Sequence, residues 1–130
     1  HAPVVPRFLH QALGGGSLII FGDGQQTRDF IYVDDVVEAL IAAATARQVN
    51  GEIINVGSGR ETSIRELALT IARLTDRQVQ VLYSPAQTGG VARLCADLGK
   101  SRRLLGNIAH TSLEDGLRLT LQRDSRFKRL

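Results

Sequence analysis

The residues best suited to chemistry are concentrated in "FGDGQQTRDFIYVDD" (21–35), where a glycine turn runs into Arg28 and then an apolar segment. An arginine fork can hold two phosphate oxygens at once, and a strand entry would present it at a domain edge. The same spacing also allows a salt bridge from Arg28 to Asp29 or to a nearby cap. The turn itself is no P-loop, because the Gly-Lys-Ser/Thr ending is missing; "FGDGQQ" predicts a hairpin turn. A second glycine turn, "NVGSGRETSI" (55–64), offers Gly57 and Gly59 of a dinucleotide fingerprint, but its third position is Thr62. A Cβ there opposes close packing, and no carboxylate follows the next strand to hold a ribose. The expectation is a tight strand-to-helix turn with its helix capped by Ser63.

Other chemistry is sparse. His1, His10 and His110 are too scattered for a metal set, and no Ser-His-Asp or Cys-His arrangement stands out. Cys95 has no histidine nearby in sequence and is expected as a small buried hydrophobe. The carboxylates gather at helix starts, where the dipole favours them as caps.

These residues need elements to position them. "PRFLHQAL" predicts a helix carrying Phe8, Leu9, Ala12 and Leu13 inward, ended by the glycines at 14–16. "LIIF" (18–21), "DFIYV" (29–33), "EIINV" (52–56) and "QVQVLYS" (78–84) read as strands. Asp34 or Asp35 starts a helix with capping-box spacing to Glu38, and Val36, Val37, Leu40, Ile41 and Ala44 form one apolar stripe. Ser63 and Glu66 make a capping box for a helix with Ile64, Leu67, Ala68, Ile71 and Leu74 inward. Asp97 caps a short helix ending at Gly106, and Ser112 caps a last one bearing Leu113, Gly116, Leu117, Thr120 and Leu121. Strands alternating with helices imply an α/β domain, or α+β as an isolated piece.

Bulk properties narrow the classes. The 130 residues are 43% hydrophobic and 22% charged, the composition of one ordinary globular domain, expected to span 1–130. No apolar run approaches the ~20 residues of a membrane helix, so no membrane partner is expected, and a cytoplasmic setting is. The chain contains no methionine, so a fragment of something longer is expected. Charge is uneven: residues 1–92 hold seven Arg/Lys against nine Asp/Glu, whereas 93–130 hold nine against four. The basic end could meet a polyanion, but only Phe127 interleaves with the terminal run, so a solvated helix face with a frayed tail is expected and nucleic acid is not.

In order, "PRFLHQALGGGSLIIFGDGQQTRDFIYVDDVVEAL", "GEIINVGSGRETSIRELA", "ADLGKSRRLLG" and "TSLEDGLRLTL" closely resemble the C-terminal portion of the NAD-dependent epimerase/dehydratase family. These are extended short-chain dehydrogenases acting on nucleotide sugars. The resemblance implies the smaller substrate domain, with an absent Rossmann half that would carry the NAD fingerprint and the Tyr-x-x-x-Lys pair. Tyr32 is followed four residues on by Val36 and Tyr83 by Gln87, so neither tyrosine has its lysine. No catalytic residue and no cofactor site is therefore implied in this chain, although the parent family uses NAD.

Carried over by position, the resemblance gives Arg28 the diphosphate and Phe21 a place near the base or ribose. Val4 and Ile19 line the base pocket, and Asn55 reaches toward the nucleotide. The implied ligand is a UDP- or dTDP-sugar, bound weakly by this half of a site. Where the family usually has Arg-Pro-Gly-Asp, this chain has Gln87, Thr88, Gly89 and Gly90. Gln87 thus replaces the second cation, which weakens phosphate binding by roughly 1–2 kcal/mol. Arg93 could substitute for it. An exposed Rossmann-docking face would favour a homo-oligomer. The alternative is an interaction module that kept the fold, lost the chemistry and meets a protein or polyanion.

Overall fold

The computed structural model describes residues 3–75, 78–85 and 90–128. Its elements, in chain order, are α1 (Val4–Leu13), β1 (Leu18–Phe21), β2 (Thr27–Asp29), α2 (Val33–Thr45), β3 (Glu61–Ser63), α3 (Ile64–Leu74), β4 (Val81–Ser84), α4 (Gly99–Leu105) and α5 (Leu113–Arg123), then a 3₁₀ turn over Ser125–Phe127. The architecture is mixed α/β, with two two-stranded sheets among the described residues.

The core forms where three amphipathic elements turn their apolar sides together. Phe8, Leu9 and Ala12 of α1, Leu18 and Ile20 of β1, and Ile64, Leu67, Ala68 and Ile71 of α3 are buried, joined by Leu117 and Phe127. Leu74, Leu113 and Leu121 pack partly buried against them, as their helical spacing predicts. Phe127 closes the core with its ring 4.9 Å from that of His10, so the chain's end is folded down to that point, not frayed.

The predicted hairpin does not form. β1 pairs in parallel with β4 (Leu18 opposite Val81, Phe21 opposite Ser84), whereas β2 pairs antiparallel with β3 (Arg28 opposite Thr62). The glycine turn between β1 and β2 instead closes on the start of α3. The carbonyls of Gly24 and Gln26 accept from the amides of Arg65 and Ile64, both at 3.0 Å. Gly24 lies at φ +73°, and a Cβ there would sit 3.1 Å from Ile20 Cγ2 and 3.2 Å from Arg65 Cβ. Its glycine thus serves a positive φ and a close approach, not a phosphate.

Helix boundaries follow local chemistry more closely than strands do. Ser63 Oγ accepts from Glu66 N at 3.0 Å and Ser112 Oγ from Asp115 N at 3.1 Å, as expected of caps. The Glu66 carboxylate does not return to Ser63; it pairs with Arg60 at 3.2 Å. Leu98, not Asp97, holds the cap position of α4, and Asp97 Oδ1 accepts from Gly99 N at 2.8 Å. Gly106 ends α4 at φ +85°.

Four strand or cap expectations differ from the structure. Of the predicted 29–33 strand only Asp29 joins a ladder, as the last residue of Thr27–Asp29, and 52–56 joins none, leaving Ile53 85% exposed. β4 begins at Val81, later than expected. Neither Asp34 nor Asp35 caps α2: Tyr32 holds that position without a side-chain bond. Asp35 is buried and accepts from Thr111 N at 3.1 Å and Thr111 Oγ1 at 2.9 Å, anchoring the chain before α5. Asp34 pairs with Arg123 at 2.6 Å.

The α2 stripe is the largest departure. Only Asp35 and Ala39 of α2 are buried, while Val33, Val37, Leu40 (66%) and Ile41 stand exposed. The expected amphipathic helix is present, but its apolar side faces away from the core.

Burial therefore separates two leucines of similar sequence context. Leu67→Ala, at a fully buried site, is expected to lower unfolding free energy by about 2–5 kcal/mol. Leu40→Ser, at dilution where the chain is monomeric, is expected to change it by no more than about 0.5 kcal/mol. Urea unfolding followed by circular dichroism distinguishes the two; equal losses would place Leu40 in the core.

Candidate functional site

Arg28 enters from the middle residue of β2, half-buried, opposite the buried Thr62. Its Nη1 donates to the carbonyls of Thr27 (2.6 Å) and Val91 (2.8 Å). The alternative salt bridge to Asp29 does not form among the described contacts. The guanidinium is held by two backbone carbonyls, with Nη2 and Nε outside those bonds.

Ile19 and Phe21 alternate along β1, so they share the face opposite the buried Leu18 and Ile20. Phe21 is half-buried beneath a cation: the Arg7 guanidinium carbon lies 5.3 Å from its ring centre and 5.2 Å from that of Phe8. Arg7 was not singled out from sequence, though it lies one helical turn after Val4 on α1. Val4 is half-buried and packs against the core. Phe21 O accepts from Gln26 Nε2 at 3.1 Å, tying the strand end back to the turn that leads to Arg28.

Asn55 lies apart from these. It is exposed and lines a cleft of about 470 Å³ with Asp29, Ile31, Gly57, Cys95 and Asp97. Gln87 falls outside the described residues, as do Thr88 and Gly89. A groove of about 770 Å³ runs along α3 beside Arg65, Leu69 and Arg73, and none of the predicted site residues lines it.

The residue that sequence reasoning missed is Asp29. One carboxylate gathers three stretches of chain: Oδ1 accepts from Ser58 N (2.8 Å) and Ser58 Oγ (2.6 Å), and Oδ2 from Gly59 N (3.0 Å) and Ala96 N (3.1 Å). Burial alone would push this carboxyl up. The bonds from the Ser58 hydroxyl and the amides of Ala96, Ser58 and Gly59 outweigh it, and the net direction is below 3.8. The available signal was an acidic residue at the head of an apolar segment, with an N–H-rich glycine turn still to come.

The same carboxylate tests the dinucleotide possibility directly. The amides of Ser58 and Gly59, which would have to receive a pyrophosphate, already donate to Asp29. A Cβ on Gly57 would meet Ala96 Cβ and Asp29 Oδ2, each at 2.6 Å, so the turn approaches these groups too closely for a side chain there. The Ser58 and Gly59 amides are taken up within the chain, and this turn does not fit the pyrophosphate of NAD.

Cys95 corrects another expectation. It is exposed, with Sγ 3.8 Å from Asp29 Oδ2. Local desolvation and the neighbouring Asp29 and Glu61 charges push its thiol up from 9.0, so it stays protonated at neutral pH and is a poor nucleophile. Among the described residues no group of three or more His, Cys, Asp or Glu could hold a metal ion. Arg93, the suggested substitute cation, is already paired with Glu61 through Nη2–Oε1 at 2.6 Å and Nε–Oε2 at 3.0 Å. In the basic end, Lys100, Arg118, Arg123 and Arg126 are likewise paired with carboxylates.

Removing the Asp29 carboxylate strands three amides. Asp29→Ala is expected to cost about 3 kcal/mol or more by thermal or urea unfolding. Because the folded pKa is depressed, the linked stability is present above the unfolded value near 3.8 and is lost as pH falls through the folded one. Wild-type stability should therefore decline below about pH 4, and Asp29→Asn should flatten that decline. An unchanged slope in Asp29→Asn would remove Asp29 as its source.

With this geometry described, comparisons place the chain. The NAD dependent epimerase/dehydratase family model matches residues 1–57. A UDP-N-acetyl-alpha-D-glucosaminuronate decarboxylase of Bacillus cytotoxicus is 40% identical over 94% of this chain and 40% of its own length. A solved UDP-glucose 4-epimerase from Thermotoga maritima, with UDP-glucose, superposes at TM-score 0.86 with 35% identity, covering 98% of this chain and 40% of that one. The Bacillus cereus UDP-glucuronic acid 4-epimerase, in complex with UDP-glucuronic acid and NAD, superposes at 0.82 with 31% identity, covering 90% and 38%. The chain thus spans about two-fifths of the length of these relatives. No described helix is long and apolar enough to cross a membrane. A fold shared at these identities across nearly the whole chain makes it a member of the NAD-dependent epimerase/dehydratase family.

Proposed function

We propose that this chain is the nucleoside-diphosphate-gripping portion of a nucleotide-sugar epimerase, dehydratase or decarboxylase, and that it has no turnover by itself. The observation that carries the proposal is the seating of Arg28: a guanidinium fixed by two backbone carbonyls and not neutralised by a carboxylate. Such a group is pre-oriented for a diphosphate and keeps fork donors to offer it. Phe21 and Ile19, on one strand face, supply an apolar surface for a base or ribose, with Val4 on the neighbouring helix. By the resemblance Asn55 reaches toward the nucleotide, and Gln87 stands in sequence where the family has its second diphosphate-binding cation.

UDP is the favoured nucleotide, because relatives named for UDP-sugars dominate the similarity; dTDP remains within the same proposal. Affinity in this chain is weak, since roughly three-fifths of a family-length enzyme lies outside it. The exposed α2 face supports a further proposal, that a second copy covers it in the isolated chain, in a cytoplasmic setting. The interaction-module alternative has less support, because Arg93, Lys100, Arg118, Arg123 and Arg126 of the basic end are paired with carboxylates.

Isothermal titration with UDP is expected to show millimolar-range binding, reduced about tenfold or more in Arg28→Ala. Binding indifferent to Arg28→Ala would remove its assigned role. Sedimentation should show concentration-dependent association that Leu40→Ser weakens; a clean monomer at high concentration would contradict the second-copy proposal.

A further inference from the structure

Arg28 does not hold its position alone, since its distal carbonyl partner, Val91, lies 63 residues away in a stretch with no assigned strand. That stretch is fastened beside β2 at several successive points. Thr27 N donates to Ala92 O at 2.9 Å, and Ala96 N donates to Asp29 Oδ2 at 3.1 Å. Between them, Arg93 places two donors on Glu61, at 2.6 and 3.0 Å. Glu61 stands opposite Asp29 in the β2–β3 register, and its Oε2 also accepts from Thr27 Oγ1 at 2.8 Å. One carboxylate thus ties the residue before Arg28 to the residue two after Val91.

We propose that Glu61 and Arg93 are positioning residues for Arg28: their two-point ion pair locks the 91–93 segment so that the Val91 carbonyl holds the Arg28 guanidinium in one orientation. Arg93 is thereby committed to bracing the cation on β2 and is not itself the second cation of the site. The inference rests on the reading of Arg28 as the diphosphate-binding group for its consequence, though not for its geometry. Arg93 is 76% exposed and Glu61 30%. An ion pair so open to solvent contributes little to global stability. Its effect is local, on which way one side chain points.

That distinction sets the test. In nitrogen-15-labelled full chain without ligand, Arg28 is expected to show resolved, slowly exchanging Nη–H resonances. Glu61→Gln and Arg93→Gln should each collapse them while the melting temperature moves by no more than a few degrees. Arg93→Lys, which keeps the charge but loses the fork, should restore them only in part. UDP affinity, measured on the same samples, should fall about fivefold in both glutamine variants, the scale of one misplaced hydrogen-bonding group.

Arg28 resonances unchanged in folded Glu61→Gln and Arg93→Gln would overturn the inference. Should Glu61→Gln unfold, the exposed Arg93 still decides the matter. If the wild-type chain binds no UDP while the Arg28 resonances respond as stated, the brace stands and the nucleotide reading falls.

Discussion

The fold around the site depends on the Asp29 carboxylate. β2 has three residues and β3 three, too few for a two-stranded ribbon to be stable by its own ladder. Asp29 adds the missing order by collecting the Ser58 and Gly59 amides, the Ser58 hydroxyl and the Ala96 amide on its two oxygens. Each donor is a group that would otherwise need water or a ladder partner. The result fixes the 57–59 turn and the 91–96 segment on either side of the strand that carries Arg28.

From that anchor the functional arrangement follows. With 91–96 held beside β2, the Val91 carbonyl is available to Arg28, and Arg93 reaches Glu61 across the ribbon. The glycines that resemble phosphate loops have other work. Gly24 lets the turn close on α3, and the amides of 57–59 face a carboxylate of the chain itself. The phosphate-gripping role proposed for this chain therefore rests on a side chain, Arg28, and not on a backbone nest.

Local signals and distant ones were not equally legible in the sequence. α1, β1, α3, α4 and α5 were readable because their apolar spacing, Ser63 and Ser112 caps and terminal glycines act within a few residues. Asp29 was not, because its donors lie 29 and 67 residues away. The 52–56 strand and the α2 stripe were read correctly as patterns and wrongly as packing. Periodicity shows which side of an element is apolar but not what covers it, and among the described residues nothing covers Leu40 or Ile53. Arg28 was singled out by residue type and position, whereas the shared face of Ile19 and Phe21 came from the alternation along β1. Arg7, Glu61 and the true partner of Arg93 became visible only with the geometry.

The family relationship accounts for a fold shared with nucleotide-sugar enzymes over only part of their length. The chain spans about two-fifths of its relatives' length at high structural similarity; among the described residues Arg28 is held by two backbone carbonyls without a carboxylate partner, and Ile19 and Phe21 share an apolar face of β1. The central claim is that this cation and that face grip a nucleoside diphosphate. A two-dimensional amide spectrum of the chain titrated with UDP tests it most directly. The account predicts shifts centred on residues 18–28 and 90–93, with α2 and the outer side of α3 silent. Shifts confined to the α3 groove around Arg65 and Arg73, or none at all at millimolar UDP, would contradict it.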